Sequence, residues 1–227
     1  MAREQKRLTR KELKEDPLMT ALSEAQQWFD LHGTKLIIGA IIVAVAIFGS
    51  IFYGRIRASA EQEGAASLMD VGTKAQDQST QTLVAPLMEV ADNYKGTQAG
   101  ADAVFALAQL AIQENDWEKA LDYFERFENE YGDLYLSGSA ALMGHATTLE
   151  NLGRRDEAAV LYDKVASRKD AHFASEFALL SAARCWAMSG DTAAARDRNN
   201  RVIAMKLASE EAQTRAKLNL AVLDAAQ

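Results

Sequence analysis

The sequence is poor in residues that cross-link a chain, break helices or carry catalysis. It holds one cysteine, Cys185, among 227 residues, which excludes an intrachain disulfide. Proline occurs only at Pro17 and Pro86, and aromatic residues make up 7%. With few helix breakers, few aromatics and heavy use of alanine, the composition favours helix over sheet. The histidines, His32, His145 and His172, are not spaced as metal ligands. No phosphate-binding glycine loop and no dinucleotide glycine pattern occurs. Cys185 sits in a helical pattern beside Trp186 and reads as a small buried residue. Close acids such as Glu128 and Glu130, or Glu210 and Glu211, read as solvated helix faces. These absences point away from an enzyme, a cofactor, a metal and a small-molecule substrate.

Charge is uneven. Residues 1–35 carry seven Lys/Arg against six acids, whereas the chain after the apolar run carries 18 bases against 26 acids. An acidic domain is a poor nucleic-acid binder, because displacing phosphate counterions needs clustered Lys and Arg.

One long hydrophobic run is present. Residues 36–53, LIIGAIIVAVAIFGSIFY, contain no charge and approach the length that crosses ~30 Å of hydrocarbon. Lys35 borders one end and Arg55 and Arg57 the other, with Trp28, Phe52 and Tyr53 placed as interfacial aromatics. A run apolar on every face is expected in lipid, whereas a core helix is amphipathic. The rival is a cleaved signal, since Ala58-Ser59-Ala60 has the A-x-A form. The run is longer than a signal's usual apolar stretch, and 35 residues precede it, so an uncleaved anchor is expected. The basic tail favours a cytoplasmic N-terminus, although the immediate flanks favour the reverse. Within the tail, Pro17 is expected to interrupt the charged residues 1–16, and residues 18–31 to lie at the membrane surface or to run into the spanning helix.

The remainder repeats itself. Segments 104–127, 142–165 and 179–202 align without gaps. Ala108, Ala146 and Ala183 mark one position, Ala120, Ala158 and Ala195 a second, and the repeats are offset by 38 and then 37 residues. Small residues at both positions let two antiparallel helices approach closely, and larger ones such as Leu107, Phe124, Leu149 and Tyr162 fill the space around them. Asn115, Gly153 and Gly190 fall between the helices and suit the left-handed conformation that ends a helix. Asp116, Asp156 and Asp191 follow as caps or dipole partners, and Asn115 with Glu118 has capping-box spacing. The third repeat is unusual: Asn199 replaces the aromatic, and Arg196, Arg198 and Arg201 make its second helix polar. Residues 210–224 read as a closing helix. Residues 58–78 and 81–94 read as a degenerate pair, with Pro86 in the first turn of its helix or kinking it.

Small residues at the eighth and twentieth positions with an aromatic at the twenty-fourth resemble the tetratricopeptide signature. The layout also resembles a narrower family, the YfgM-like ancillary subunits of the bacterial SecYEG translocon. That resemblance spans roughly residues 24–222 and is clearest in VADNYKGTQAGADAVFALAQLAIQENDWEKAL (90–121) and AKLNLAVL (216–223), while the longer charged tail departs from it. It implies an all-α protein: a single transmembrane helix followed by a tetratricopeptide-like α-solenoid. The expected divisions are a charged tail and pre-membrane helix (1–35), a transmembrane helix (36–54), a connecting helix and degenerate repeat (55–98) and the repeat domain (99–227). It further implies a bacterial inner-membrane location, with the N-terminus cytoplasmic and the repeats periplasmic. The implied function is protein binding, with the SecYEG translocon and a periplasmic chaperone or emerging chains as partners. A scaffold for another cell-envelope assembly is the alternative.

In tetratricopeptide solenoids the first helix of each repeat lines a concave groove. Carried over position by position, the resemblance places Phe105, Gln109 and Ile112 of the first repeat there. It adds Met143, Thr147 and Glu150 of the second, and Phe177, Leu180, Arg184 and Met188 of the third. The expected groove is mostly apolar and lacks the Lys/Asn set that holds a chain-end carboxylate. Lys119 and Asp163 are expected on the outer face.

Overall fold

The computed structural model describes residues 17–74, 80–132, 138–168 and 174–225. Among them are nine α-helices: α1 (Pro17–Lys74), α2 (Thr80–Asn93), α3 (Gln98–Gln113), α4 (Trp117–Glu130), α5 (Gly138–Asn151), α6 (Arg155–Ser167), α7 (Ser175–Met188), α8 (Thr192–Ala204) and α9 (Glu210–Ala225). No strand occurs among the described residues. The chain divides into two compact units, Met1–Ile56 and Arg57–Gln227.

In the first unit the described chain is helical throughout, and residues 18–31 run without a break into the apolar stretch. Pro17 opens α1, a position where its missing N–H costs nothing. The expectation for residues 1–16 lies outside the described residues. An 18-residue window of α1 has a mean hydropathy of 2.6 and buries none of its residues, so α1 is long and apolar enough to cross a membrane.

The second unit is an α-solenoid. From α2 onward each helix packs on the next. The pairs α3/α4, α5/α6 and α7/α8 are the three repeats, and α9 closes the array. Each pair turns on the residue expected in the left-handed region: Asn115 (φ 58°), Gly153 (φ 79°) and Gly190 (φ 91°). The turns are alike in detail. The amide after each of these residues donates back to the carbonyl five residues earlier, Asp116 to Ala111, Arg154 to Leu149 and Asp191 to Trp186, all at 2.9 Å. This satisfies carbonyls that a helix end leaves orphaned.

Capping differs in part from expectation. The Asp116 carboxylate accepts from the Lys119 amide at 3.1 Å, and that of Asp191 from the Ala194 amide at 2.8 Å. Asn115 is not the cap, because its left-handed backbone belongs to the end of α3; the capping box read from Asn115 and Glu118 does not form. Arg154 holds the cap position of α6 without a side-chain bond to a helix amide, its guanidinium donating instead to Glu157, and Asp156 and Glu157 supply negative charge to the first turn. Pro86 sits well inside α2, beyond the first turn, where it withholds a donor from the helix ladder.

The alanine markers are the helix crossings. Ala108, Ala120, Ala146, Ala158 and Ala195 are fully buried and Ala183 nearly so. The core is serial. One cluster joins Val90, Val104, Leu107, Phe124 and Phe127; a second joins Leu149, Tyr162 and Cys185; a third joins Leu179, Val202 and Ala216. Each large side chain of this kind contributes about 1.5–3 kcal/mol on burial, and each cluster draws on neighbouring helices only, as in solenoids generally.

The unusual third repeat is explained by its neighbours. Asn199 is buried; its amide donates to the Ala195 carbonyl at 2.9 Å, and its oxygen accepts from Asn219 of α9 at 3.1 Å. Arg196 pairs with Asp224 and donates to the Leu223 carbonyl at 2.8 Å. The polar second helix therefore holds the closing helix. Arg198 reaches the other way, to Asp163 of α6 at 2.7 Å. Asp163 also accepts from the Trp186 indole at 3.2 Å. It is thus tied between repeats.

Candidate protein-binding groove

The first helices of the second and third repeats, α5 and α7, flank a cavity of about 860 Å³. Helical spacing sends Met143, Thr147 and Glu150 from α5, and Phe177, Arg184 and Met188 from α7, into its lining. A second cavity of about 510 Å³ shares Phe177, Arg184 and Met188 and extends to α9. Leu180 lines this second space. Phe105 and Ile112 do neither: both pack on the first core cluster, and the Phe105 ring lies 6.3 Å from that of Phe124. Gln109, on α3 with them, is half-buried and lines neither cavity. The ten positions therefore separate into seven around two joined cavities and three on α3.

The floor is more polar than an apolar groove implies. The Arg184 guanidinium donates through two nitrogens to the two oxygens of Glu150, each at 2.8 Å. The Tyr162 hydroxyl donates to Glu150 at 3.1 Å and lies 3.0 Å from the Thr147 hydroxyl, which itself donates to the Met143 carbonyl at 2.9 Å. Burial works to raise the Glu150 carboxyl, yet the bonds and charge of Arg184 carry it below its ordinary range. Because Arg184 is half in solvent, the pair contributes at most about 1 kcal/mol. Its geometric effect is larger, since the fork fixes the facing side chains of two successive repeats. Around it stand the exposed apolar groups of Phe177 and Met188.

Cys185 lies beneath this network, fully buried. Burial, with the nearby Glu150 charge, pushes its thiol up to about 12, and burial likewise pushes the Tyr162 phenol up to about 12. Both groups are held neutral by the fold. The stability they contribute is complete below their unfolded values and is lost as pH rises through the folded ones. A thiol reagent at pH 8 is therefore expected to leave the native chain unlabelled and to label it fully in denaturant. The urea midpoint is expected to fall progressively above pH 9. Prompt native labelling at pH 8 would show that Cys185 is reachable.

Three kinds of lining residue escape the repeat pattern. Tyr162 was legible as the twenty-fourth-position aromatic, but as packing. Arg155 comes from the start of α6. Arg215, Asn219 and Val222 come from α9. The 37- and 38-residue offsets of the repeats, extended from Met188, pass beyond Val222, so the register did not mark these positions. Among the described residues, no group of three or more His, Cys, Asp and Glu stands together as a metal site.

Paired helices stacked in series, with a lined groove on the first-helix side, define a repeat module of the protein-interaction class. A model of the tetratricopeptide repeat-like domain matches residues 26–142, just over half of the chain, and the chain belongs to that family. The match takes in the apolar stretch and the first repeat, so Phe105, Gln109 and Ile112 fall inside it and the cavity residues beyond it. No curated protein matches the sequence.

Proposed function

We propose that this chain is a membrane-anchored scaffold whose groove holds segments of partner proteins. Residues 36–54 anchor it in a bacterial inner membrane, with residues 1–35 cytoplasmic and the repeats, 99–227 preceded by a degenerate pair in 55–98, in the periplasm. It serves as an ancillary subunit of the SecYEG translocon and receives a periplasmic chaperone or emerging chains. The pair of joined cavities on one side of the repeats carries the binding reading. They are concave and apolar-rimmed, with a few fixed polar groups between, as binding sites are. Two methionines supply surfaces that adapt to different partners. The resemblance of the whole layout to YfgM-like subunits supports the translocon role.

Affinity purification of the full chain in mild detergent is expected to recover SecYEG subunits. Their absence, with other envelope proteins recovered, would replace the translocon by another assembly. Photo-crosslinkers at Met143, Phe177 and Met188 are expected to give partner adducts, and those at exposed Lys119 and Val160 none. Adducts confined to Lys119 and Val160 would sink the groove.

A further inference from the structure

The occupant's chemistry is written in the charges around the two cavities, and the argument rests on the groove reading above. The chain beyond the apolar run is acidic, with 18 bases against 26 acids. The cavity linings invert that balance. Their charged residues are Arg155, Arg184 and Arg215 against Glu150 alone. Glu150 is spent on Arg184, so Arg155 and Arg215 remain as net positive charge, one beside each cavity. Arg155 has no ion-pair partner among the described residues. Arg215 meets Glu211 only at 3.6 Å, both side chains being mostly in solvent. Arg155 also stands where helix physics disfavours it. It is the first residue of α6, whose N-terminal end is positive and is served by acids, as the following Asp156 and Glu157 show. Local stability does not account for a cation there, whereas a negatively charged occupant does. Phe177 and Met188, which line both cavities, are exposed, and so is Val222, which lines the second, while the floor is held by the Glu150–Arg184 pair.

We propose that the groove selects polypeptide segments that set apolar side chains on Phe177, Met188 and Val222 and carry carboxylates at their flanks against Arg155 and Arg215. Charge complementarity of this kind selects partners and fixes register. A basic or uncharged apolar segment of the same shape is discriminated against because it leaves these arginines covered and unmatched.

The test is a random peptide library panned on the full chain in nanodiscs, with each binder assigned to the groove by a photo-crosslinker at position 177. Groove binders are expected to be enriched in Asp and Glu beside apolar residues. The double variant Arg155→Glu with Arg215→Glu is expected to weaken them about tenfold or more and to enrich basic binders instead. Arg155→Glu alone is expected to keep or raise the melting temperature, because a carboxylate suits a helix start, so loss of selection is not loss of fold. Groove binders without acidic enrichment, or binding indifferent to the double variant, would overturn the charge inference and leave the groove standing. Binders that never crosslink at position 177 would overturn the groove reading and this inference with it.

Discussion

Phe124→Ala is expected to destabilise the repeat array by about 3–5 kcal/mol, the usual cost of emptying a fully buried aromatic site. The ring has no solvent exposure. It sits 6.3 Å from the Phe105 ring and 6.2 Å from the His145 ring, nearly parallel to the latter. Across the helix interface lies Gly144 of α5, where an added Cβ would run into the Phe124 ring. The first and second repeats thus meet through one large ring against a missing side chain, and neither partner has room to move in and refill the space. Domains of this kind are stable by only about 5–15 kcal/mol, so the loss is a large share of the total. Urea denaturation of the full chain in detergent, followed by helical circular dichroism, measures it. A loss under about 1 kcal/mol would mean that the α4–α5 contact is not built on this ring.

Deleting residues 36–54 is expected to move the protein from an alkaline-washed membrane pellet entirely to the supernatant. The 18 apolar residues make about 27 Å of helix at 1.5 Å per residue, close to the hydrocarbon thickness of a bilayer. Eleven of them are Leu, Ile, Val or Phe. At about 0.3–0.6 kcal/mol each near the bilayer centre, they favour insertion by roughly 3–7 kcal/mol. Among the described residues nothing covers that surface: Phe48 is 75% exposed and Val45 66%. A continuous apolar cylinder of this size is not sustained in water by a soluble monomer. Recovery of the intact chain in the supernatant would reject the anchor.

What was legible in the sequence follows from how local each signal is. The turns were readable because few residues tolerate a left-handed backbone, and Asn115, Gly153 and Gly190 all adopt it. The crossings were readable because an alanine in a repeated register marks close approach, and all six markers are buried. The closing helix, expected at 210–224, is α9. Misreadings arose where two local rules competed or where the partner was distant. Asn115 satisfied both a helix-end and a helix-start pattern, and the helix-end geometry won, which left capping to Asp116. Pro86 was expected in the first turn of its helix or at a kink; α2 begins at Thr80, so Pro86 lies beyond the first turn. The groove is the larger lesson. Glu150 and Arg184 are 34 residues apart, as are few pairs that inspection along the chain would join. Their fork makes polar a floor that counting side chains makes apolar. The α9 contribution was hidden because a closing helix is read for what it covers and not for what it presents.

The weak attachment of α9 gives the second cavity a thermodynamic character of its own. Among its described side chains only Ala212 and Ala216 are buried, Gln213, Asn219, Leu220 and Leu223 are half-buried, and Asn199 and Arg196 add polar contacts at its far end. Elements that bury so little apolar surface open at low free energy. Arg215, Asn219 and Val222 belong to the cavity only while that helix is docked. Occupancy of the cavity and docking of the last helix are therefore linked equilibria: whatever affinity a guest gains from α9 is returned as stability of the array's end. A guest that draws affinity from α9 would by the same amount hold the wall of its own site in place.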